Sequence, residues 1–179
     1  MKKHNLRSIV LAALFATLCI VLTYFMSFYV PVFGSNTVRI GFGHIPLLLS
    51  GLLLGPFFGA VTGAVADLTG AIAFPTGGAY FPGFTLTAIL TGLLPGLMKA
   101  AMGRRRLKWI HVLAITLGTE LVVSVLLNTY WLTVLSGASY LALLAVRLPV
   151  TLCLSLVYTI IVHPLYSRAS SELQRLDFN

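Results

Sequence analysis

The sequence predicts an all-α integral membrane protein. Residues 1–179 form one domain, a bundle of six transmembrane helices with both termini in the cytoplasm. Three observations predict it. The chain is 58 % apolar and only 9 % charged, with a mean hydropathy of +0.97, whereas a soluble domain carries roughly 25 % charged residues. Long apolar segments recur, most of them near the roughly 20 residues that cross a bilayer. Finally, most basic residues sit at the two ends and in one run, Arg104-Arg105-Arg106-Leu107-Lys108, the pattern by which a membrane protein sets its orientation. A chain of 179 residues then holds five or six helices, with no room for a soluble catalytic or nucleotide-binding domain.

Span one is expected at about 8–32, because its apolar run continues from Ile9 to Val32. That exceeds a signal-peptide core of about 7–15 residues, so the segment stays as a helix. Residues 36–43 read as a polar, Gly-containing loop. The apolar stretch 45–73 is interrupted by Gly55-Pro56. As one kinked helix it would place the 104–108 run opposite Lys2, Lys3 and Arg7. As two short spans, about 43–55 and 57–73, it puts ten of twelve Lys/Arg on one side: Lys2, Lys3, Arg7, Lys99, Arg104, Arg105, Arg106, Lys108, Arg168 and Arg175. The positive-inside bias selects the second arrangement, and Pro after Gly is a good helix terminator. The remaining spans are expected at about 84–102, 110–134 and 141–165. Outward loops 33–42, 74–83 and 135–140 are rich in Gly, Pro and aromatics and carry one charge, Arg39. Such loops can line or close a pocket.

The net charge of +8 does not indicate nucleic acid. The basic residues flank apolar spans, as topology signals and contacts to anionic lipid do. Cys19 and Cys153 lie mid-span with neither metal-ligand nor disulfide spacing, so both are expected to fill core space. Ala12 and Ala16, and Gly55, Gly59 and Gly63, recur every four residues. Such faces let helices approach closely, within the monomer or against another subunit.

Six segments in order carry a resemblance. They are Leu11-Ala12-Ala13-Leu14-Phe15-Ala16, Arg39-Ile40-Gly41-Phe42-Gly43-His44-Ile45-Pro46, Gly51-Leu52-Leu53-Leu54-Gly55-Pro56-Phe57-Phe58-Gly59-Ala60, Asp67-Leu68, Gly78-Ala79-Tyr80-Phe81-Pro82-Gly83-Phe84-Thr85-Leu86 and Leu127-Asn128-Thr129-Tyr130-Trp131-Leu132. Over nearly its whole length the chain resembles the substrate-binding S components of energy-coupling factor (ECF) vitamin transporters. The Tyr-Phe-Pro-Gly-Phe-Thr and Asn-Thr-Tyr-Trp-Leu segments are similar to the folate-specific branch. The resemblance implies a cell-membrane protein with an outward-facing pocket for folate. It also implies partners, a transmembrane coupling subunit and two ATPase subunits, with Ala12 and Ala16 meeting the coupling subunit. No cofactor is implied, and ATP is used by the partners alone. The chain itself has no GxxxxGK[ST] phosphate loop.

Folate joins a flat pterin and an aminobenzoate to a tail with two carboxylates. A pocket for it needs aromatic faces, a few hydrogen-bonding groups and positive charge. Arg39 offers a fork that matches a carboxylate, or else faces solvent and headgroups. Arg147, inside the outer end of span six, is a second pocket cation or an ion-pair partner. Asn128 supplies both donor and acceptor to a ring edge, and Trp131, three residues on, shares its helix face. Tyr130 belongs either to the pocket or to the interfacial aromatic belt. Phe74, Tyr80, Phe81 and Phe84 supply aromatic contact or packing. Asp67 accepts from a pterin edge or makes an internal bond. Phe42 and His44 sit at the start of span two, where His44 has no second metal ligand and is expected to hydrogen-bond. Glu120, near the bilayer centre, pairs with a neighbour or stays protonated. The competing readings are an S component for riboflavin, thiamine or a queuosine precursor, a small intramembrane enzyme, and an ion channel. No span carries a nucleophile–base pair or a pore-like polar stripe.

Overall fold

The computed structural model describes the backbone of residues 3–32, 35–74, 80–103 and 107–177, and the side chains of 6–27, 41–74, 80–103 and 107–173. Basic residues Arg104, Arg105 and Arg106 and the segment start Gly78-Ala79 lie outside the described residues. The elements are α1 (Lys3–Phe25), β1 (Ser27–Val32), β2 (Ser35–Gly41), α2 (His44–Leu54), α3 (Pro56–Ala73), α4 (Pro82–Met102), α5 (Trp109–Glu120), a π-helical segment (Leu121–Leu127), α6 (Asn128–Ser136) and α7 (Tyr140–Asp177). α5, the π segment and α6 form one rod, Trp109–Ser136, so the described residues hold six helical rods. Five helices are long and apolar enough to cross a membrane. The exception is α2, whose 11 residues reach only about 16 Å at 1.5 Å per residue, half of a hydrocarbon core of about 30 Å.

Helix α2 sits at the centre and packs on α1, α3, α4 and α7. Its Leu48, Leu49 and Leu52 join Val112, Ile115, Tyr158, Val162 and Tyr166 in the larger core cluster. The turn after it is the one expected from Gly55-Pro56. Gly55 adopts φ 90°, ψ 175°, and Pro56 opens α3, where a missing N–H costs nothing. Beyond the turn, α3 and α4 meet backbone to backbone. A Cβ on Gly59 would lie 2.3 Å from the Gly92 carbonyl oxygen, and one on Gly92 would lie 2.1 Å from the Gly59 oxygen. Gly51 and Gly63 are equally confined, by Gly92 O and Ala88 O. The glycine face is therefore internal packing. Gly55 joins it through its backbone, since a Cβ on Gly96 would lie 2.8 Å from the Gly55 carbonyl carbon, although nothing lies within 4 Å of a Cβ on Gly55 itself.

Four expectations are corrected. Span one ends at Phe25, not at 32, and Ser27–Val32 pairs antiparallel with Ser35–Gly41 in place of helix end and loop. Pro31 sits within β1. It falls where the hairpin register shifts, between Val30 and Val32, a position that tolerates a missing donor. Second, Ala12 and Ala16 are buried inside the monomer at 6 % and 3 % exposure. Ala16 clusters with Cys19, Leu47 and Ala66, so the small face seats α1 on α2 and α3 and is not open to a partner. Third, Cys153 is exposed on the bundle surface, while Cys19 is buried as expected. Fourth, α7 continues to Asp177, well past the expected end at 165, because nothing between Tyr166 and Leu173 breaks a helix.

The ends of the bundle sort as the charge bias requires. Tyr24, late in α1, packs on Gly70, late in α3, so the start of α1 lies at the Gly55-Pro56 end. Lys99 reaches that same end, where its Nζ donates to the Leu52 carbonyl at 2.5 Å and lies 5.1 Å from the Tyr166 ring centre. The hairpin, the segment leading into α4 and the turn after α6 share the opposite end.

Two outcomes follow from this packing. In a cysteine-free background, Ser35→Cys and Lys108→Cys are expected to label from opposite sides of the membrane; labelling of both from one side rules out the six-span arrangement. Lys108 is used because its neighbour Leu107 is buried. Gly59→Leu and Ala16→Trp should each lower stability by about 1–3 kcal/mol or more through overpacking, read as a fall in the thermal midpoint in detergent. An Ala16→Trp protein of unchanged midpoint would put that alanine back on the surface.

Candidate ligand-binding site

The outer half of the bundle holds three linked groups of side chains. The first is an aromatic wall where the start of α4 meets α6. Phe81 lies edge-on to Phe84 at 5.6 Å and to Trp131 at 5.5 Å between ring centres, and Tyr130 lies 5.1 Å from Trp131. Gly83 makes room for the nest, since a Cβ there would sit 2.3 Å from the Phe81 ring and 2.8 Å from Trp131. Within this wall Trp131 Nε1 and Asn128 Oδ1 are buried, and neither atom has a hydrogen-bond partner among the described residues. One is a donor, the other an acceptor. Leaving such groups unmade costs about 1–3 kcal/mol each, so the wall is chemically incomplete by itself. A flat molecule whose edge carries an acceptor and a donor would complete it.

The second group is a relay beside the wall. Tyr80 and Thr85 hydroxyls lie 2.5 Å apart, and Thr85 donates to Asp67 Oδ2 at 2.6 Å. Since the Thr85 proton faces the carboxylate, Tyr80 donates to Thr85. Asp67 is therefore held by α4 with one oxygen engaged. The third group centres on Glu120, which is 2 % exposed. Its Oε1 lies 2.6 Å from His44 Nδ1, and its Oε2 accepts from Ser124 Oγ at 2.6 Å. The Arg147 charge, also buried, lies within electrostatic reach. A buried carboxylate is tolerated only with such compensation. Tyr158 sits next to this group, its ring 5.9 Å from that of His44, and its hydroxyl donates to the Gly41 carbonyl at 2.7 Å.

The structure thus brings Phe81, Phe84, Asn128 and Trp131 together, links Tyr80 to Asp67, and gathers His44 and Arg147 around Glu120. Two aromatics sit elsewhere. Phe74 stacks on Tyr24 at 4.9 Å and meets Phe25 edge-on at 6.1 Å, so it pins the end of α1. Phe42 packs against the α2 core cluster. The Arg39 backbone pairs with Tyr29 in the hairpin, and its side chain lies outside those described. Sequence reasoning missed Ser124 and Tyr158, whose residue types are common in any span, and it did not pair His44 with Glu120, 76 positions apart. It also missed the π-helical segment, which lets Thr129 Oγ1 reach the Ser124 carbonyl at 3.4 Å. Such segments frequently mark functional sites. Among the described residues no group of three or more His, Cys, Asp or Glu could hold a metal ion.

Comparison with known proteins adds an independent line. A family model for the substrate-specific component of ECF transporters matches residues 7–166. The folate transporter FolT of Clostridium novyi (strain NT) is 33 % identical over 166 residues, covering 91 % of this chain and 88 % of that one. The crystal structure of FolT bound with folic acid aligns with a TM-score of 0.76 at 28 % identity, over 91 % of this chain and 96 % of that chain. The S component for biotin from an ECF-type ABC transporter aligns with a TM-score of 0.72 at 20 % identity, over 93 % and 94 % of the two chains, which shows a common fold.

The incomplete wall makes a prediction about stability. Asn128→Leu removes an unpartnered buried acceptor, so the thermal midpoint of the ligand-free protein in detergent should stay level or rise. A fall of several degrees would mean that Asn128 already has a structural partner.

Proposed function

Because the chain belongs to the substrate-specific components of ECF transporters, an integral membrane family of transport proteins and not of enzymes, we propose that it is the folate-binding subunit of an ECF-type importer. The observation that carries this reading is the unpartnered Asn128–Trp131 donor and acceptor on an aromatic wall. A pterin is a flat ring with hydrogen-bonding groups on its edge, and it fits both features. Asp67, held by Thr85, adds an acceptor for ring N–H groups. Arg39, in the outer hairpin, then receives the carboxylate tail. Riboflavin and thiamine share the flat ring but lack that pair of carboxylates. The names of the relatives support the same choice.

The vitamin enters from the outer side and leaves by association with a transmembrane coupling subunit and two ATPase subunits. The chain carries no phosphate-binding loop, so ATP hydrolysis belongs to those partners, and no cofactor is needed here. The coupling subunit must meet surface other than Ala12 and Ala16, which are buried.

A crossed binding experiment in detergent tests the ligand. Arg39→Ala should weaken folate by roughly 10- to 150-fold, corresponding to about 1.5–3 kcal/mol for a charge-assisted bond, while leaving a pterin without the glutamate tail unaffected. Trp131→Ala should weaken both. Equal loss of both ligands with Arg39→Ala would mean the arginine holds the hairpin and does not read the tail. If neither substitution affects folate, the vitamin or the pocket is a different one.

A further inference from the structure

We infer that Glu120 is a positioning residue that ties the two sides of the binding site together, the hairpin on one side and the Asn128–Trp131 wall on the other. The proposed ligand contacts do not use Glu120. Yet its two carboxylate oxygens are divided between two elements. Oε1 holds His44, the first residue of α2, directly after the two-residue link from the hairpin. Oε2 holds Ser124, inside the π-helical segment that ends where Asn128 begins.

Each arm has a defined reach. On the first arm, α2 begins without a side-chain cap at Gly43, and its short length leaves that end inside the bundle. Gly43 is pressed against Thr23, where a Cβ would sit 1.9 Å from the hydroxyl. His44–Glu120 and Tyr158–Gly41 O are polar attachments between the hairpin base and α5 and α7. Hairpin residue Arg39 is the proposed reader of the carboxylate tail. On the second arm, the backbone N–H of Asn128 bonds to Val123 O, five residues back. The π register therefore sets where Asn128 and Trp131 point, and Ser124 is its one side chain bonded to Glu120. A carboxylate serves both arms because it accepts at both oxygens. Methionine matches the length of the side chain and offers neither arm an oxygen, so it holds neither.

The inference rests on the hairpin and the Trp131 wall flanking the ligand, but its test needs no ligand. The chain has two tryptophans, and Trp109, at the opposite end of the rod, is replaced by Phe in the full-length protein. Trp131 then reports the wall through its emission and its quenching by acrylamide. Trypsin cleavage after Arg39, identified by fragment mass, reports the hairpin, since Arg39 is the one basic residue in the three outward loops. Glu120→Met should raise the quenching constant at least twofold with a red shift, and speed cleavage at least fivefold. Ser124→Ala should move only the tryptophan readings, and His44→Phe only the cleavage. If Glu120→Met moves neither, or if each single-arm substitution moves both readouts alike, Glu120 is a packing group and the inference fails. Should Glu120→Met not fold, Ser124→Ala and His44→Phe decide the matter between themselves by the same rule. Failure of folate to bind the unaltered protein would overturn the proposed ligand and leave these readouts interpretable.

Discussion

Helix α2 is the constraint on which the rest of the bundle depends. It is too short to cross the hydrocarbon, so an end that lies within it must find partners inside the protein. At its C-terminal end Lys99 donates to the Leu52 carbonyl, as basic groups do at helix C-termini. At its N-terminal end the chain arrives from a hairpin whose last carbonyl is held by Tyr158, and His44 is held by Glu120. The neighbours are arranged around this helix: α1, α3 and α4 on one side, and α7 on the other. The unusual elements of the fold, a hairpin in a helical membrane protein and two buried charges, both occur at its outer end.

Much of this was legible beforehand. The basic residues gave the number of spans, because only a turn at Gly55-Pro56 places the clusters on one side, and Gly55 with φ 90° is that turn. The hairpin was not legible as such. Its Phe, Tyr and Val residues read equally as the end of an apolar helix or as a strand, and Pro31 does not decide it, since α4 and α7 carry prolines inside their helices. The alanines of α1 show the same ambiguity at a finer scale. Spacing every four residues marks a close-packed face but does not say what packs on it, and here it is α2 and α3. At the site, residue types alone suggested Asn128 and Trp131. Their shared environment required the π segment, which depends on hydrogen-bond register and leaves no signature in composition.

Family and ligand rest on different evidence. The family follows from a match across nearly the whole chain. The fold is shared with relatives that handle chemically unlike vitamins, as the biotin component at 20 % identity shows, so the ligand is decided by side chains lining the outer half. There the bundle places three kinds of group within one wall: rings, an unpartnered donor and acceptor, and a carboxylate held by a hydroxyl. The first provides area and the second sets orientation. The rings and the unpartnered pair lie away from the glycine contact, while the Asp67–Thr85 bond joins α3 to α4; recognition can therefore differ between relatives while the scaffold stays the same.

The glycine contact between α3 and α4 has a mechanical consequence. Where two main chains touch without side chains between them, there are no rotamers to exchange, and one helix cannot slide on the other without carbonyl meeting carbonyl. Gly51 extends the same contact to α2. These three helices therefore behave as a stiff plate. Any large movement of the protein in the bilayer must carry the plate as a unit, with bending confined to the hairpin and the turns at its rim.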